Sequence, residues 1–357
     1  MSCLFEGLTI GTMRAKNRFV RAATYEGLAT EDGHVTLELL AIYEKLAKGG
    51  VGTIIVGYAH VMAGEKPNPK MLGLYNDSFV SEYRRLVDAV HERGARIISQ
   101  IVYGGSATKL QPPSERILGP SAVANPKTGI VPIEASADDM QTLRQAFAAA
   151  AKRAQAAGFD AVEVHAAHGY LLSQFLSPLL NRRSDAYGGP IKNRVRFIIE
   201  VVGTIRSEVG PDFPILVKLN SSDGVEGGLS EEDSLSAAEL LVEAGVDAIE
   251  VSGAWRLCTA KDFGGEPFFG EYAKRLACKV SVPVLLTGGN RRFAVMERCA
   301  EHDGIAGFGM CRPLICEPDL VNRWISDQAY APRCMSCNGC SSTFGHRCIL
   351  PTTPEQH

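Results

Sequence analysis

Two histidines and a tyrosine crowd one short stretch, EVHAAHGYLLSQFLSP (163–178): His165, His168 and Tyr170. Such a trio can do one of two things. The imidazoles can bind a metal, or they can donate hydrogen bonds to a carbonyl oxygen while the phenol beside them gives up a proton. A satisfied core histidine is the plain third option. A second constellation, RCMSCNGCSSTFGHRC (333–348), spaces four thiols as C-x₂-C-x₂-C-x₇-C: Cys334, Cys337, Cys340 and Cys348. Thiols at this density suit a [4Fe–4S] cluster or a four-cysteine zinc site. Unligated thiols stay open beside both.

Positioning these groups falls to a regular alternation. Eight short, near-continuously apolar runs begin with RFVRAAT (18–24), GTIIVGYA (52–59), ARIISQIV (95–102) and AVEVHA (161–166). PILVKLN (214–220), AIEVSG (248–253), PVLLTGG (283–289) and GIAGFGM (304–310) complete them. They read as parallel strands buried on both faces. Amphipathic helical segments lie between them, several ending at glycine. The expected fold is a (βα)₈ TIM barrel over residues 1–330, followed by a short Cys-rich C-terminal extension over 331–357. A doubly wound sheet is the rival; the even unit length and the lack of a glycine fingerprint after the first strand favour the barrel. Residues 103–137, rich in Pro, Gly and Ser, read as one long loop.

Composition fits this class. The chain has 357 residues and a formal net charge of −3. That charge gives no electrostatic case for nucleic acid or an anionic membrane. The N-terminus shows no secretory leader and no apolar run is long enough to span a bilayer, so a cytoplasmic protein is expected. The six cysteines outside the tail read as reduced, buried thiols.

In a barrel the chemistry collects at the C-terminal ends of the strands. Those positions hold Thr24, Tyr25 and Glu26, then Gly57 and Tyr58, Gln100, the His165/His168/Tyr170 trio, Lys218 and Asn220. Ser252, Gly253, Gly288, Gly289, Asn290, Cys311 and Arg312 follow. The set is rich in donors and almost free of carboxylates, which disfavours a hydrolytic metal site. It suits a large, flat, electron-accepting ligand with an anionic tail. TGGN and GMCR, after the last two strands, flank the usual barrel phosphate site, where free N–H groups and Arg312 favour an anion. Lys218, inside the apolar run ILVKLN, needs a buried partner.

HAAHGYLLSQFLSPLLNRRSDAYGG followed by NRVRF resembles the central signature of the Old Yellow Enzyme family of FMN-dependent oxidoreductases. The likeness extends through NRFV, SQ, VKLN, TGGN and CRPLICEPDL, over roughly residues 4–325. The tail is similar to the cysteine-rich segment of the 2,4-dienoyl-CoA reductase branch, though with a shorter spacing. The resemblance implies FMN at the barrel mouth. Ala22, Ala23 and Thr24 would line the isoalloxazine, with Gly57 and Tyr58 beside it. Gln100 would bond the pyrimidine edge and Lys218 would sit near N1 and O2. Gly288, Gly289, Cys311 and Arg312 would hold the phosphate. His165 and His168 would donate to a substrate carbonyl, Tyr170 would deliver the proton, and Tyr25 would form an aromatic wall.

The implied activity is NAD(P)H-dependent reduction of the activated C=C bond of an α,β-unsaturated carbonyl or enoyl thioester. The alternatives are other flavin redox chemistry, such as amine demethylation, and a non-catalytic flavin-binding partner protein. At this length no room is expected for the second dinucleotide-binding half of larger relatives, so the nicotinamide would visit the substrate's face of FMN. The expected partners are a small-molecule substrate, further copies of the chain and, through a tail cluster, a ferredoxin-like electron donor. The loop 103–137 and residues 261–272, with Phe263, Phe268 and Phe269, are expected to form lid and walls.

Overall fold

The computed structural model describes residues 2–110, 116–253 and 267–350. Eight parallel strands close into a barrel: β1 (Phe19–Arg21), β2 (Thr53–His60), β3 (Arg96–Val102), β4 (Ala161–Ala166), β5 (Ile215–Asn220), β6 (Ala248–Ser252), β7 (Val284–Thr287) and β8 (Gly307–Met310). Each falls inside the run read from the sequence, to within one residue. A helix follows each strand: α1 (Leu37–Lys48), α2 (Val80–His91), α3 (Ala137–Ala157), α4 (Arg196–Val209), α5 (Glu231–Glu243), α6 (Gly270–Ala277), α7 (Phe293–His302) and α8 (Leu320–Ser326). This is the expected (βα)₈ barrel.

Local chemistry sets the helix ends. Ser136 and Asp139 form a capping box at the start of α3, which closes on Gly158 at φ +95°; only glycine adopts that left-handed conformation cheaply. Ser230 caps α5 by accepting from the N–H of Asp233.

The barrel's lower interior is filled by Val20, Ile55, Ile98, Ala161, Leu216, Ala248 and Leu285. An N-terminal hairpin, Leu8–Ile10 paired with Met13–Ala15, plugs that end. Strand side chains alternate faces. With Ala161, Leu216, Ala248 and Leu285 pointing inward, Glu163, His165, Lys218, Asn220, Glu250, Ser252 and Thr287 point inward too, toward the upper end. The apolar plug below and the polar layers above are thus one period-two pattern.

The described residues of 103–137 are more ordered than a plain loop. Gly105–Ala107 form a 3₁₀ turn, and Leu118–Gly119 pair with Ile133–Glu134. Asn125 bonds Ser106 and the backbone N–H of Lys127, stitching the segment together. Phe263 lies outside the described residues. So does Cys258; of the other five non-tail cysteines, Cys299 and Cys316 are buried, but Cys278 is exposed, against expectation. It sits just past the end of α6, on the outer surface. Among the described residues no helix is long and apolar enough to cross a membrane.

Candidate active site

The barrel brings the opening trio together. The His165 ring lies 4.9 Å from both the His168 and Tyr170 rings, edge-on to each. Nδ1 of His165 accepts the N–H of Ala167 at 3.2 Å. A neutral imidazole has one proton, so that proton sits on Nε2. His168 stands at φ +59°, a conformation side chains other than glycine rarely take. Its N–H donates to Asn220 at 3.0 Å, and its Nε2 lies 2.8 Å from the Ser252 hydroxyl. Burial and the Lys218 charge hold His168 neutral, its pKa pushed down to about 3; burial and His168 push His165 down as well. His168 is nonetheless exposed at the mouth, where a ligand can reach it and where solvent offsets part of that shift.

Tyr170 and Tyr58 share a hydrogen bond of 3.2 Å, and Asn68 donates to Tyr58 at 2.6 Å. Tyr58 stacks on Tyr25, ring centres 6.0 Å apart. Burial raises the Tyr170 pKa, with the Tyr58 and Asn68 bonds opposing. Tyr58, expected beside the cofactor, is therefore the direct partner of Tyr170. The Tyr25 hydroxyl donates to the Pro69 carbonyl, which fixes it as a wall.

Beneath lies a polar layer. Lys218 Nζ meets Glu250 Oε1 at 2.8 Å, with the pair 2% and 0% exposed. Glu250 is the buried partner that a lysine in an apolar strand requires. Thr287 donates to the same carboxylate oxygen, and Gln100 donates to Glu163 at 2.5 Å. Gln100 Oε1 and Asn220 Nδ2 are buried without a protein partner. Unpaired polar atoms at strand ends fit the heteroatom edges of a flavin.

Gly288 and Gly289 have φ of +123° and +85°, which favours glycine at both. Phe269 packs against Gly253 and Gly288 so closely that a Cβ on either would collide with its ring. Gly57 is needed for the same reason: a Cβ there would reach 2.4 Å from the Thr24 carbonyl oxygen. Ala22 is buried and Ala23 partly so. The Thr24 hydroxyl bonds the Ala22 carbonyl at 3.0 Å and Cys311 Sγ at 3.1 Å, joining the ends of β1 and β8. Arg312 donates to Asn338 Oδ1 at 2.5 Å, tying this strand end to the tail. Arg21 points out through the wall, bonding the Cys311 carbonyl at 2.7 Å and Glu26 at 3.3 Å. There it lines a flank cavity of about 480 Å³ between α1 and the tail, outside the barrel mouth.

The tail thiols differ in exposure. Cys334 is buried, Cys337 exposed, and Cys340 and Cys348 intermediate. Among the described residues no group of three or more His, Cys, Asp or Glu side chains is set to hold a metal ion. Burial and the neighbouring Cys348 raise the pKa of Cys316, on the short helix Arg312–Cys316. The tail does reach the mouth, where His346 sits edge-on to Tyr25 at 5.2 Å.

Three participants are absent from the strand-end reading of the sequence: Asn68, Glu163 and Glu250. A signal existed for the carboxylates. Each occupies an inward position of an otherwise apolar strand, two residues before a named site residue. Asn68, on a connecting loop, carries no such signal.

The chain matches the NADH:flavin oxidoreductase / NADH oxidase family over residues 3–329. It is 34% identical over 346 residues to a metal reductase of Desulforamulus reducens, covering 95% of this chain and 51% of that protein. It is 37% identical over 250 residues to an NADPH dehydrogenase of Bacillus subtilis, covering 70% and 72%. A solved 2-naphthoyl-CoA reductase superposes with a TM-score of 0.88 at 27% identity, over 96% of this chain and 55% of that one. The chain thus spans about half the length of the metal reductase and of the naphthoyl-CoA reductase. A match running across nearly the whole barrel shows the family: the chain belongs to the NADH:flavin oxidoreductase / NADH oxidase family, the Old Yellow Enzyme group of FMN oxidoreductases that its central motif resembles.

Proposed function

We propose that the protein reduces the activated C=C bond of an α,β-unsaturated carbonyl or enoyl thioester at the expense of NAD(P)H. Bound FMN would take a hydride from the nicotinamide and pass it to the β carbon. The observation that carries this reading is the trio: the His168 and Tyr170 rings each lie 4.9 Å from the His165 ring.

Each residue has a task its surroundings allow. The Nε2–H of His165 donates to the substrate carbonyl oxygen. With the Ser252 hydroxyl donating to Nε2 of His168, Nδ1–H would be the second donor. Together they stabilise negative charge developing on that oxygen, the logic of an oxyanion hole. Being neutral, they donate without surrendering a proton. Tyr170 gives its proton to the α carbon, and Tyr58 and Asn68 aim its hydroxyl and stabilise the phenolate left behind. Gln100 and Lys218 would hold the pyrimidine side of FMN, with Ala22, Ala23, Thr24 and Gly57 along the ring. Gly288, Gly289, Cys311 and Arg312 would hold its phosphate, Arg312 while also bound to the tail. Tyr25 would wall the substrate space.

The test is a single turnover in D₂O. Protein loaded with FMN and reduced anaerobically by NADPH or NADH should be reoxidised by a cyclic enone and not by its saturated ketone, with one solvent deuterium at the α carbon. Reoxidation without alkene reduction would move the activity to another acceptor.

A further inference from the structure

The inward layer above the apolar plug holds more acid than base. Lys218, Glu250 and Glu163 are all sealed from solvent, at most 2% exposed. Glu250 Oε1 receives Lys218 at 2.8 Å and also the Thr287 hydroxyl. Glu163 Oε2 receives one side-chain amide, that of Gln100 at 2.5 Å. The two remaining oxygens, Glu163 Oε1 and Glu250 Oε2, are buried with no hydrogen-bond partner, and the two carboxyl groups are close enough to interact electrostatically. Ionised carboxylates only accept hydrogen bonds. A proton held between two of them would satisfy both open oxygens. Two buried negative charges facing one lysine would also leave one charge uncompensated, a costly state.

We propose that Glu163 is a resident carboxylic acid, donating its proton to the Glu250 carboxylate, and that Gln100, Glu163, Glu250 and Lys218 act as one clamp positioning the pyrimidine side of the cofactor. The assignment rests on the flavin reading above. Glu250 holds the charge because a cation and a hydroxyl point at it; Glu163 meets only a neutral amide. Burial and the Glu250 charge push Glu163 well up, while Lys218 and its hydrogen bonds outweigh burial to pull Glu250 down. Two consequences follow for the ligand. Gln100 gives one of its two N–H donors to Glu163, which leaves its unpartnered Oε1 as an acceptor for a ligand N–H. Lys218 is matched by one anion, so the layer is polar but carries no net charge. Glu163 and Glu250 are thus positioning residues: they fix the direction of Gln100 and the charge of Lys218 without touching substrate.

The test compares Glu163→Gln and Glu163→Leu with the wild type, as FMN-loaded protein. A glutamine offers the same acceptor to Gln100 and the same donor to Glu250 as the neutral acid. Glu163→Gln should therefore keep the wild-type FMN affinity and midpoint potential while losing one carboxylic-acid C=O band from the infrared spectrum. Glu163→Leu should raise the FMN dissociation constant by roughly tenfold, the scale of one lost hydrogen bond. A more positive potential in Glu163→Gln would mean that a negative charge had been removed, and would overturn the proposal. So would identical infrared spectra, or wild-type FMN affinity in Glu163→Leu. Should the leucine variant fail to fold, the glutamine variant decides alone. The infrared comparison needs no flavin, so it reads the shared proton even if the wild type proves to hold no FMN, which would instead sink the flavin assignment.

Discussion

The hydroxyl of Tyr170 lies 3.2 Å from that of Tyr58, a residue 112 positions earlier in the chain. Tyr170→Phe is expected to slow alkene reduction by about 10²–10⁴-fold, the usual worth of a positioned acid, with flavin reduction by NAD(P)H near normal. Tyr58→Phe should cost less, since it removes only the partner that aims the acid. The raised Tyr170 pKa keeps the phenol protonated through neutral pH, so the alkene half-reaction should decline only on the alkaline side. Stopped-flow traces of the two half-reactions at several pH values check both points. Equal losses in the two half-reactions would make Tyr170 structural.

The barrel was legible because most strands are short β-branched runs and several helices start at a Ser or Thr cap or stop at a glycine, all local signals. The strand-end residues were legible for the same reason. Their pairings were not. Gln100 meets Glu163 across 63 residues of chain, and Lys218 meets Glu250 across 32. Strand register fixes such contacts, and register emerges only once the barrel closes. In the tail, cysteine spacing suggested a cage, but spacing alone does not set where side chains point, and among the described residues no metal-holding group is formed.

Two buried groups near the mouth give opposite pH dependences of stability. Burial lowers the pKa of His60 to about 4, against a hydrogen bond to the Met62 carbonyl. Its contribution is full above the unfolded value near 6.5 and is lost as pH falls through about 4. Burial raises Glu65 to about 8, against the bond from the Gly104 N–H. Its contribution is full below about 4.5 and is lost as pH rises through about 8. Glu65→Gln keeps the acceptor and cannot ionise, so its Tm should fall less than the wild type's between pH 7 and 9. Equal falls, measured by calorimetry, would remove Glu65 as the cause.

Arg312 reaches Asn338 in the tail. Arg312→Ala should free residues 331–350 to proteolysis and also weaken FMN retention. Asn338→Ala should free the tail while retaining FMN. Limited proteolysis and flavin content after gel filtration separate the two effects; wild-type FMN retention in Arg312→Ala would remove the phosphate assignment.

With no metal-holding group among the described residues, Cys337→Ser should leave FMN content and NAD(P)H-dependent flavin reduction unchanged. Iron and zinc analysis of anaerobically purified protein is the direct check. Stoichiometric metal, lost in Cys337→Ser, would show that the tail closes into a cage in solution.

The central claim is that His165 and His168 polarise the substrate carbonyl as neutral donors. It is tested most directly by reducing FMN-loaded protein with dithionite, so that nicotinamide binding plays no part, and timing its reoxidation by an enone. His168→Ala is expected to retain FMN and to be reoxidised about 10²–10³-fold more slowly, the cost of one oxyanion donor. Reoxidation at the wild-type rate would contradict it.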